Sequence, residues 1–311
     1  MGGDLAPAPV VDGVLAAARR VSGRLQLVGP AVRLEHELTR HGARPEAIEV
    51  IDAPDVVAMD EPPAAALRRK PGASIRVAVG QLARGTAGAV VSAGSTGATV
   101  MAACTELGLL PGVERPALAV IIPTRQRPAV LLDVGANAEC RPSHLVQFGV
   151  LGSVFAQLAL GLDAPRVGLL SIGEEASKGN ELTREAHRRL TSAPVRFTGN
   201  VEARDVYAGV CDVIVCDGFT GNVALKISES LVEMIDALSG GALGAVAGGR
   251  LSEAEYGGAL LVGVRGVVIV GHGRSSARAV ENAVLLAHRF VDADVLTRFE
   301  RGIAAIPKSA S

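Results

Sequence analysis

Tryptophan is absent from this chain of 311 residues, and only two tyrosines and six phenylalanines occur. With aromatics at 3%, the flat platforms on which single-stranded nucleic acid stacks are missing, and any core must be aliphatic. Acidic and basic residues nearly cancel, 32 against 31, and no long basic run appears. Nucleic acid is therefore disfavoured as a partner. The four cysteines, Cys104, Cys140, Cys211 and Cys216, form no CxxC pair and no secreted disulfide framework. No zinc-ligand spacing is present, and neither a G-x-S-x-G elbow nor a G-x-x-x-x-G-K-[ST] loop occurs. No G-x-G-x-x-G fingerprint follows a strand, which weakens a dehydrogenase reading. No metal and no cofactor are expected. The opening residues, Met1 to Pro7, carry no charged and apolar leader pattern, so a cytoplasmic location is expected.

What is abundant is aliphatic bulk and glycine. Hydrophobic residues make up 49% of the chain, and the mean hydropathy is +0.34. The stretch 142–162 has no formal charge and is long enough to cross a bilayer. It also holds His144, Gln147, Gln157 and two serines, so a buried core or interface helix is the better reading.

Short β-branched or leucine runs alternate with longer helical stretches. Strands are expected at 25–28, 48–51, 89–92, 117–122, 130–134, 167–171, 195–198, 213–216 and 267–270. Helices are expected at 10–21, 31–41, 75–84, 97–107, 143–161, 180–190, 222–238 and 275–291. This alternation predicts an α/β fold with a mostly parallel sheet covered by helices on both faces. Ligands in such sheets bind beyond the carboxyl ends of the strands.

Four glycine-rich turns fall at those ends. They are Ser92 to Gly97, Asp133 to Asn137, Ser171 to Asn180, and Asp217 to Asn222. Each aims backbone N–H groups, and in most cases a helix start, at one point, an arrangement suited to an anion such as phosphate. Gly94, Ser95, Thr96 and Gly97 supply N–H groups and hydroxyls, although Ser/Thr capping of a helix explains them equally. Asp133 and Asp217 end strands, where each either takes a proton or satisfies backbone N–H groups. Asn137, Asn180 and Asn200 add neutral hydrogen-bonding groups, while Gly179, Thr220 and Gly221 belong to the same turns. His272, after another apolar run, suits a general acid, a phosphate contact or loop packing. The basic residues are arginine except for Lys70, Lys178, Lys226 and Lys308. Lys178 beside a glycine turn suits a compact charge reaching into a small pocket, against the plainer reading of a solvated surface lysine. Asn222 is either a donor to a carbonyl or phosphate oxygen, or an ordinary helix N-cap. No cysteine has a histidine nearby in sequence, which leaves a thiol nucleophile unsupported.

Ordered motifs run the length of the chain. They include Met1-Gly2-Gly3-Asp4, Asp60-Glu61-Pro62 with Arg68-Arg69-Lys70, Ser92-Ala93-Gly94-Ser95-Thr96-Gly97-Ala98, and Glu114-Arg115-Pro116. They continue through Leu132-Asp133-Val134-Gly135-Ala136-Asn137, Lys178-Gly179-Asn180-Glu181, Gly199-Asn200-Val201-Glu202, Asp217-Gly218-Phe219-Thr220-Gly221-Asn222, Tyr256-Gly257-Gly258 and Gly271-His272-Gly273. In these motifs and their order the chain resembles the PlsX family of phosphate acyltransferases. The resemblance implies a Rossmann-like three-layer α/β/α fold of the isocitrate/isopropylmalate dehydrogenase–phosphotransacetylase type, as a single domain over 1–311. It implies a helical hairpin at about 227–255, and residues 303–311 are expected to be disordered. It implies transfer of a fatty acyl group from acyl carrier protein to inorganic phosphate, a homodimer, and Lys178 and Asn222 at the catalytic positions. It also implies a link to a membrane glycerol-3-phosphate acyltransferase and loose attachment to the inner face of the membrane.

Three departures qualify these expectations. Family members carry a short strand ahead of Gly-Gly-Asp, so the central sheet is expected to be one strand short. Leu5 replaces the histidine usual in that loop. The stretch from Lys226 to Tyr256 is shorter and has lost most of its basic and long apolar residues, so membrane attachment carries over poorly. An acyl-CoA phosphotransacetylase and a non-catalytic acyl or carrier-protein binder remain the rival readings.

Overall fold

The computed structural model describes residues 1–42, 45–242 and 255–307. The chain divides into two compact units, Met1–Gly108 with Glu253–Asp292, and Leu109–Ser252 with Ala293–Ser311.

The first unit contains helices α1 (Ala8–Ala17), α2 (Ala31–Thr39), α3 (Pro63–Arg69), α4 (Ser74–Ala83), α5 (Thr96–Glu106) and α9 (Ala277–Asp292). Its strands are β1 (Leu25–Gly29), β2 (Ile48–Asp52), β3 (Ala89–Ser92), β9 (Ala259–Val262) and β10 (Val267–Val270). Strands β1 and β2 pair in parallel. Strand β10 pairs in parallel with β3 and antiparallel with β9. The unit thus carries two separate sheets, where the sequence led us to expect one. Residues of β1 and β3 both line a cavity of about 560 Å³. Helix α9 is amphipathic. Val280, Ala283, Leu286, Ala287 and Phe290 recur at helical spacing and are buried. It packs on α1 at Gly13, where an added Cβ would lie 2.6 Å from Val280 Cβ.

The second unit contains strands β4 (Ala117–Ile122), β5 (Ala129–Leu132), β6 (Arg166–Leu170), β7 (Arg196–Val201) and β8 (Val213–Val215). Its helices are α6 (Pro142–Leu160), α7 (Glu181–Leu190), α8 (Gly218–Leu238) and α10 (Val295–Ala304). The strands run in the order β4-β5-β8-β6-β7, with β4–β5 antiparallel and the other pairs parallel. Helix α6 is the long uncharged stretch. By length and composition it could cross a membrane, but 72% of its apolar window is buried inside the protein. Gly152 lets it lie close to the sheet, since a Cβ there would meet Val213 Cγ1 at 2.7 Å. It ends at Gly161, in the left-handed conformation that closes helices.

The α/β fold with a mostly parallel sheet is present, and every expected strand appears within a few residues of its expected ends. The sequence reading missed β9, α3 and α10. Strand β9 is only four apolar residues behind Gly257 and Gly258, too short for periodicity to be read. Helix α3 is one of the shortest and starts on prolines, which are tolerated only in a helix's first turn. Of the expected hairpin, residues 227–238 continue α8, and 243–254 lie outside the described residues. Of the expected tail, Ile303 and Ala304 close α10 and 308–311 lie outside them.

Candidate active site

Strand β8 lies between β5 and β6, and all three run in parallel. Their carboxyl ends therefore share one edge of the second unit. Three of the glycine-rich turns emerge there, side by side: 133–137 after β5, 171–180 after β6, and 216–222 after β8.

The turn after β8 becomes helix α8 at Gly218, four residues earlier than the sequence predicted. The reason is Asp217. Its extended backbone and carboxylate make it the N-cap, accepting from Thr220 N at 2.8 Å and Thr220 Oγ1 at 2.8 Å. Asn222 is therefore not a cap; it sits one turn inside the helix. Its Nδ2 donates to the Val134 carbonyl at 3.1 Å. Two glycines let α8 seat directly on the 133–137 turn. A Cβ on Gly218 would lie 2.7 Å from Asp133 Oδ2, and one on Gly221 would collide with the Asp133 carbonyl oxygen.

Asp133 is fully buried. It accepts from the N–H groups of Leu118 (3.0 Å), Gly135 (3.1 Å), Ala136 (2.9 Å) and Asn137 (2.8 Å), and from Asn137 Nδ2 (2.9 Å). Burial pushes its carboxyl above the ordinary carboxylate range, while these hydrogen bonds pull it back. All five partners are donors, which suits the ionised form. Asn137 Nδ2 also reaches the Pro116 carbonyl at 2.6 Å, and the Asn137 carbonyl accepts from Gly218 N at 2.9 Å. Of the two readings left open for Asp133, satisfying backbone N–H groups is the one its geometry matches.

The turn after β6 carries Lys178. Its own N–H donates to the Glu175 carbonyl at 2.9 Å, closing a tight bend. Gly179 has φ +93°, and any side chain there would strike Thr183 Oγ1. Asn180 caps α7, accepting from Thr183 N at 2.9 Å. Arg184 Nη1 holds the Gly179 carbonyl at 2.6 Å. The Lys178 stem lies over Gly173, where a Cβ would be 2.8 Å from Lys178 Cγ. The ammonium is exposed and has no carboxylate within ion-pair distance among the described residues. The other described lysines are paired, Lys70 with Glu61 and Lys226 with Glu229. Asn200, in β7, is 7% exposed and donates from Nδ2 to the Glu175 carbonyl at 2.9 Å.

The remaining residues singled out from sequence lie in the first unit. Strands β3 and β10 are parallel neighbours, and Gly271 N donates to the Ser92 carbonyl at 2.7 Å. Ser95 caps α5, accepting from Ala98 N at 3.4 Å. Thr96 opens that helix, behind Gly94 and ahead of Gly97, whose Cβ would meet Pro63 at 2.8 Å. His272 is exposed, and its Nδ1 accepts from Arg274 N at 3.2 Å. Asp4 N donates to the Gly273 carbonyl at 2.8 Å, tying the opening Gly-Gly-Asp segment to this turn.

Cys140, Cys211 and Cys216 are not poised as nucleophiles by their surroundings. Burial pushes the Cys140 and Cys211 thiols up to about 12, and Cys216 well above its usual value. Among the described residues no cluster of histidine, cysteine and carboxylate side chains could hold a metal.

A family described as "Fatty acid synthesis protein" matches residues 1–298. The chain is 44% identical to a "Phosphate acyltransferase" of Acidobacterium capsulatum, covering 98% of this chain and 95% of that relative. It is 45% identical to one of Nitratidesulfovibrio vulgaris, covering 98% and 93%. The chain belongs to the phosphate acyltransferase family, PlsX. Solved phosphotransacetylases share its fold at 18% identity. The Streptococcus pyogenes structure has a TM-score of 0.65 over 92% of this chain and 93% of that one, and EutD of Staphylococcus aureus one of 0.60 over 91% and 92%.

Membership of the phosphate acyltransferase family places the chain among transferases of fatty acid and phospholipid synthesis. Around the lysine turn the sequence reading missed Arg184, set His187 aside as a helical histidine, and named Ser171 only as the start of the turn. His187 Nδ1 lies 2.9 Å from Asn200 Oδ1, and the Ser171 hydroxyl is buried without a hydrogen-bond partner. In sequence, His187 and Arg184 look like ordinary polar positions of an amphipathic helix. No local signal sets them apart.

Proposed function

We propose that the chain transfers a fatty acyl group from the thioester of acyl carrier protein to inorganic phosphate. The observation that carries this reading is the free ammonium of Lys178 at the strand edge it shares with Asn222. A phosphate oxygen attacks the thioester carbonyl carbon, and the new C–O bond leaves an oxyanion. Its collapse breaks the C–S bond, giving acyl phosphate and a carrier thiolate that takes a proton from water. Phosphate is already an anionic nucleophile near neutral pH, so no activated serine or cysteine is required, consistent with the buried thiols. Lys178 neutralises phosphate charge. Asn222 spends one Nδ2 hydrogen on Val134 and keeps the other for the oxyanion or phosphate. The N–H groups near Gly179 and Thr220 suit further anion contacts.

A homodimer is supported by α8. Phe219, Val223, Ile227, Leu231, Ile235 and Leu238 form one apolar stripe at helical spacing, with Phe219 66%, Ile227 63% and Leu238 81% exposed. Arg68 and Arg69 are the exposed arginines we assign to the acidic carrier protein. Arg204 is already engaged by Glu202 at 2.9 Å and Glu174 at 3.5 Å. Acyl phosphate made at the cytoplasmic side would pass to a membrane glycerol-3-phosphate acyltransferase.

The test is mass spectrometry of products from phosphate with either acyl carrier protein thioester or acyl-CoA. Acyl phosphate from the carrier thioester, lost in Lys178→Ala, is the expected result. Product from acyl-CoA alone would replace this reading with the phosphotransacetylase one, and no product from either donor would leave a binding protein.

A further inference from the structure

The Glu175 carbonyl accepts two hydrogen bonds. One comes from the N–H of Lys178 at 2.9 Å, the other from Asn200 Nδ2 at 2.9 Å. The second is the one hydrogen bond from a buried side chain to residues 174–178 among the described residues. Glu174 to Lys178 are otherwise exposed. Without Asn200, the bend that carries Lys178 would rest on its own backbone and on the flanking Gly173 and Gly179.

Asn200 is itself held. Its Oδ1 lies 2.9 Å from His187 Nδ1, and the His187 ring meets Phe197 edge-on at 5.0 Å and 78°. These contacts determine the chemistry at each atom. Nδ2 must face the Glu175 carbonyl, because two oxygens there would repel. Oδ1 therefore faces the imidazole, and His187 Nδ1 carries the hydrogen. A histidine on α7, an asparagine on β7 and a carbonyl after β6 thus form one chain of donors and acceptors ending at the Lys178 amide.

We propose that Asn200 and His187 are positioning residues for Lys178, holding the 175–178 bend so that the ammonium meets the phosphate. The inference rests on the assignment of Lys178 to phosphate given above. Neither residue touches the reacting atoms; each acts through the Glu175 carbonyl.

The experiment compares Asn200→Ala, His187→Ala, His187→Gln and Lys178→Ala, with the Asn200→Ala/Lys178→Ala double variant. Each is assayed for turnover of acyl-carrier thioester with phosphate, and for hydrogen exchange at the Lys178 amide. Misplacing the ammonium by about an ångström should lower kcat roughly 10- to 100-fold in Asn200→Ala. Exchange at the Lys178 amide should rise at least about 10-fold with it. His187→Ala should follow in the same direction, and His187→Gln, which can still donate to Asn200 Oδ1, should restore part of the loss. In the double variant the losses should fail to multiply, because Asn200 acts through a lysine that is no longer there. Full turnover in Asn200→Ala while Lys178→Ala is inactive would overturn this inference and leave the proposed function standing. Multiplying losses would overturn it too. Full turnover in Lys178→Ala would instead remove the assignment of Lys178 to phosphate, and this inference with it, while no turnover in the unchanged protein would remove the proposed function. Should Asn200→Ala not fold, the two His187 variants carry the test: equal turnover in both, at the level of the unchanged protein, would reject the inference.

Discussion

Gly221 rests against the Asp133 backbone so closely that a methyl group there would collide with the Asp133 carbonyl oxygen. Helix α8 can therefore reach the turn after β5 only with glycine at this position. That approach brings Asn222 within 3.1 Å of the Val134 carbonyl.

Gly221→Ala should accordingly cost stability and activity together. Overpacking of this kind costs about 1 to 3 kcal/mol. The helix start would have to move, carrying Asn222 with it. Urea unfolding and turnover measured on the same sample check this; an alanine variant with unchanged midpoint and rate would contradict the packing described.

Loss of the free ammonium should act on catalysis and spare the fold. Lys178→Ala should reduce turnover on the order of 100-fold or more. Its melting temperature should hardly change, since the exposed side chain has no ion-pair partner among the described residues. Asn222→Ala should lose a similar factor in rate and some stability, because its Nδ2 also bonds Val134. Near-normal rates in both purified variants would discard the assignment.

Asp212 predicts the acid side of the stability curve. It is 1% exposed and accepts from Arg166 Nε at 3.0 Å and pairs with Arg127 at 2.9 Å. Burial alone would raise its carboxyl, but the hydrogen bonds from Arg166 and the charges of Arg166 and Arg127 win and hold it below the ordinary value. A depressed carboxyl stabilises the fold above its unfolded value, and that contribution is lost as pH falls through the folded one. Asp212→Asn should therefore be less stable near pH 7 by about 1.5 to 3 kcal/mol, the gap shrinking below about pH 4. A gap that stays constant or grows in acid would contradict this, as read by denaturant titration at several pH values.

The two buried thiols, Cys211 and Cys216, and the partly buried Cys140 should be inert. With its pKa pushed up to about 12, Cys211 should resist N-ethylmaleimide at pH 8 in the folded protein, as should Cys140 and Cys216. Mass mapping before and after denaturation decides it. Rapid labelling of Cys140 with loss of turnover would reopen a thiol mechanism.

The stripe on α8 predicts the assembly. Ile227→Asp, at a position 63% exposed, should leave the fold intact and weaken self-association at least about 10-fold in sedimentation. Identical sedimentation for variant and parent would move the dimer contact elsewhere.

Much of this was legible in the chain itself. The alternating strands and helices, Ser/Thr capping at Ser95, and the buried character of α6 follow from periodicity and local turn chemistry. The start of α8 was less legible. Asp217-Gly218-Phe219-Thr220-Gly221-Asn222 reads as a loop because its glycines disfavour helix. The Asp217 cap and the contact with Asp133 override that propensity.

The sequence by itself determined where the glycine turns stand and that one sparse lysine lies in one of them, because backbone conformation and residue type are local properties. Only the tertiary structure decided which polar groups are spent and which are free. Asp133 and Asn137 are saturated by Leu118, Pro116 and Gly218, Asn200 is committed to His187 and Glu175, and the Lys178 ammonium has no ion-pair partner among the described residues. Those partners come from other strands and helices, and a hydrogen bond depends on distance in space, which no spacing along the chain records.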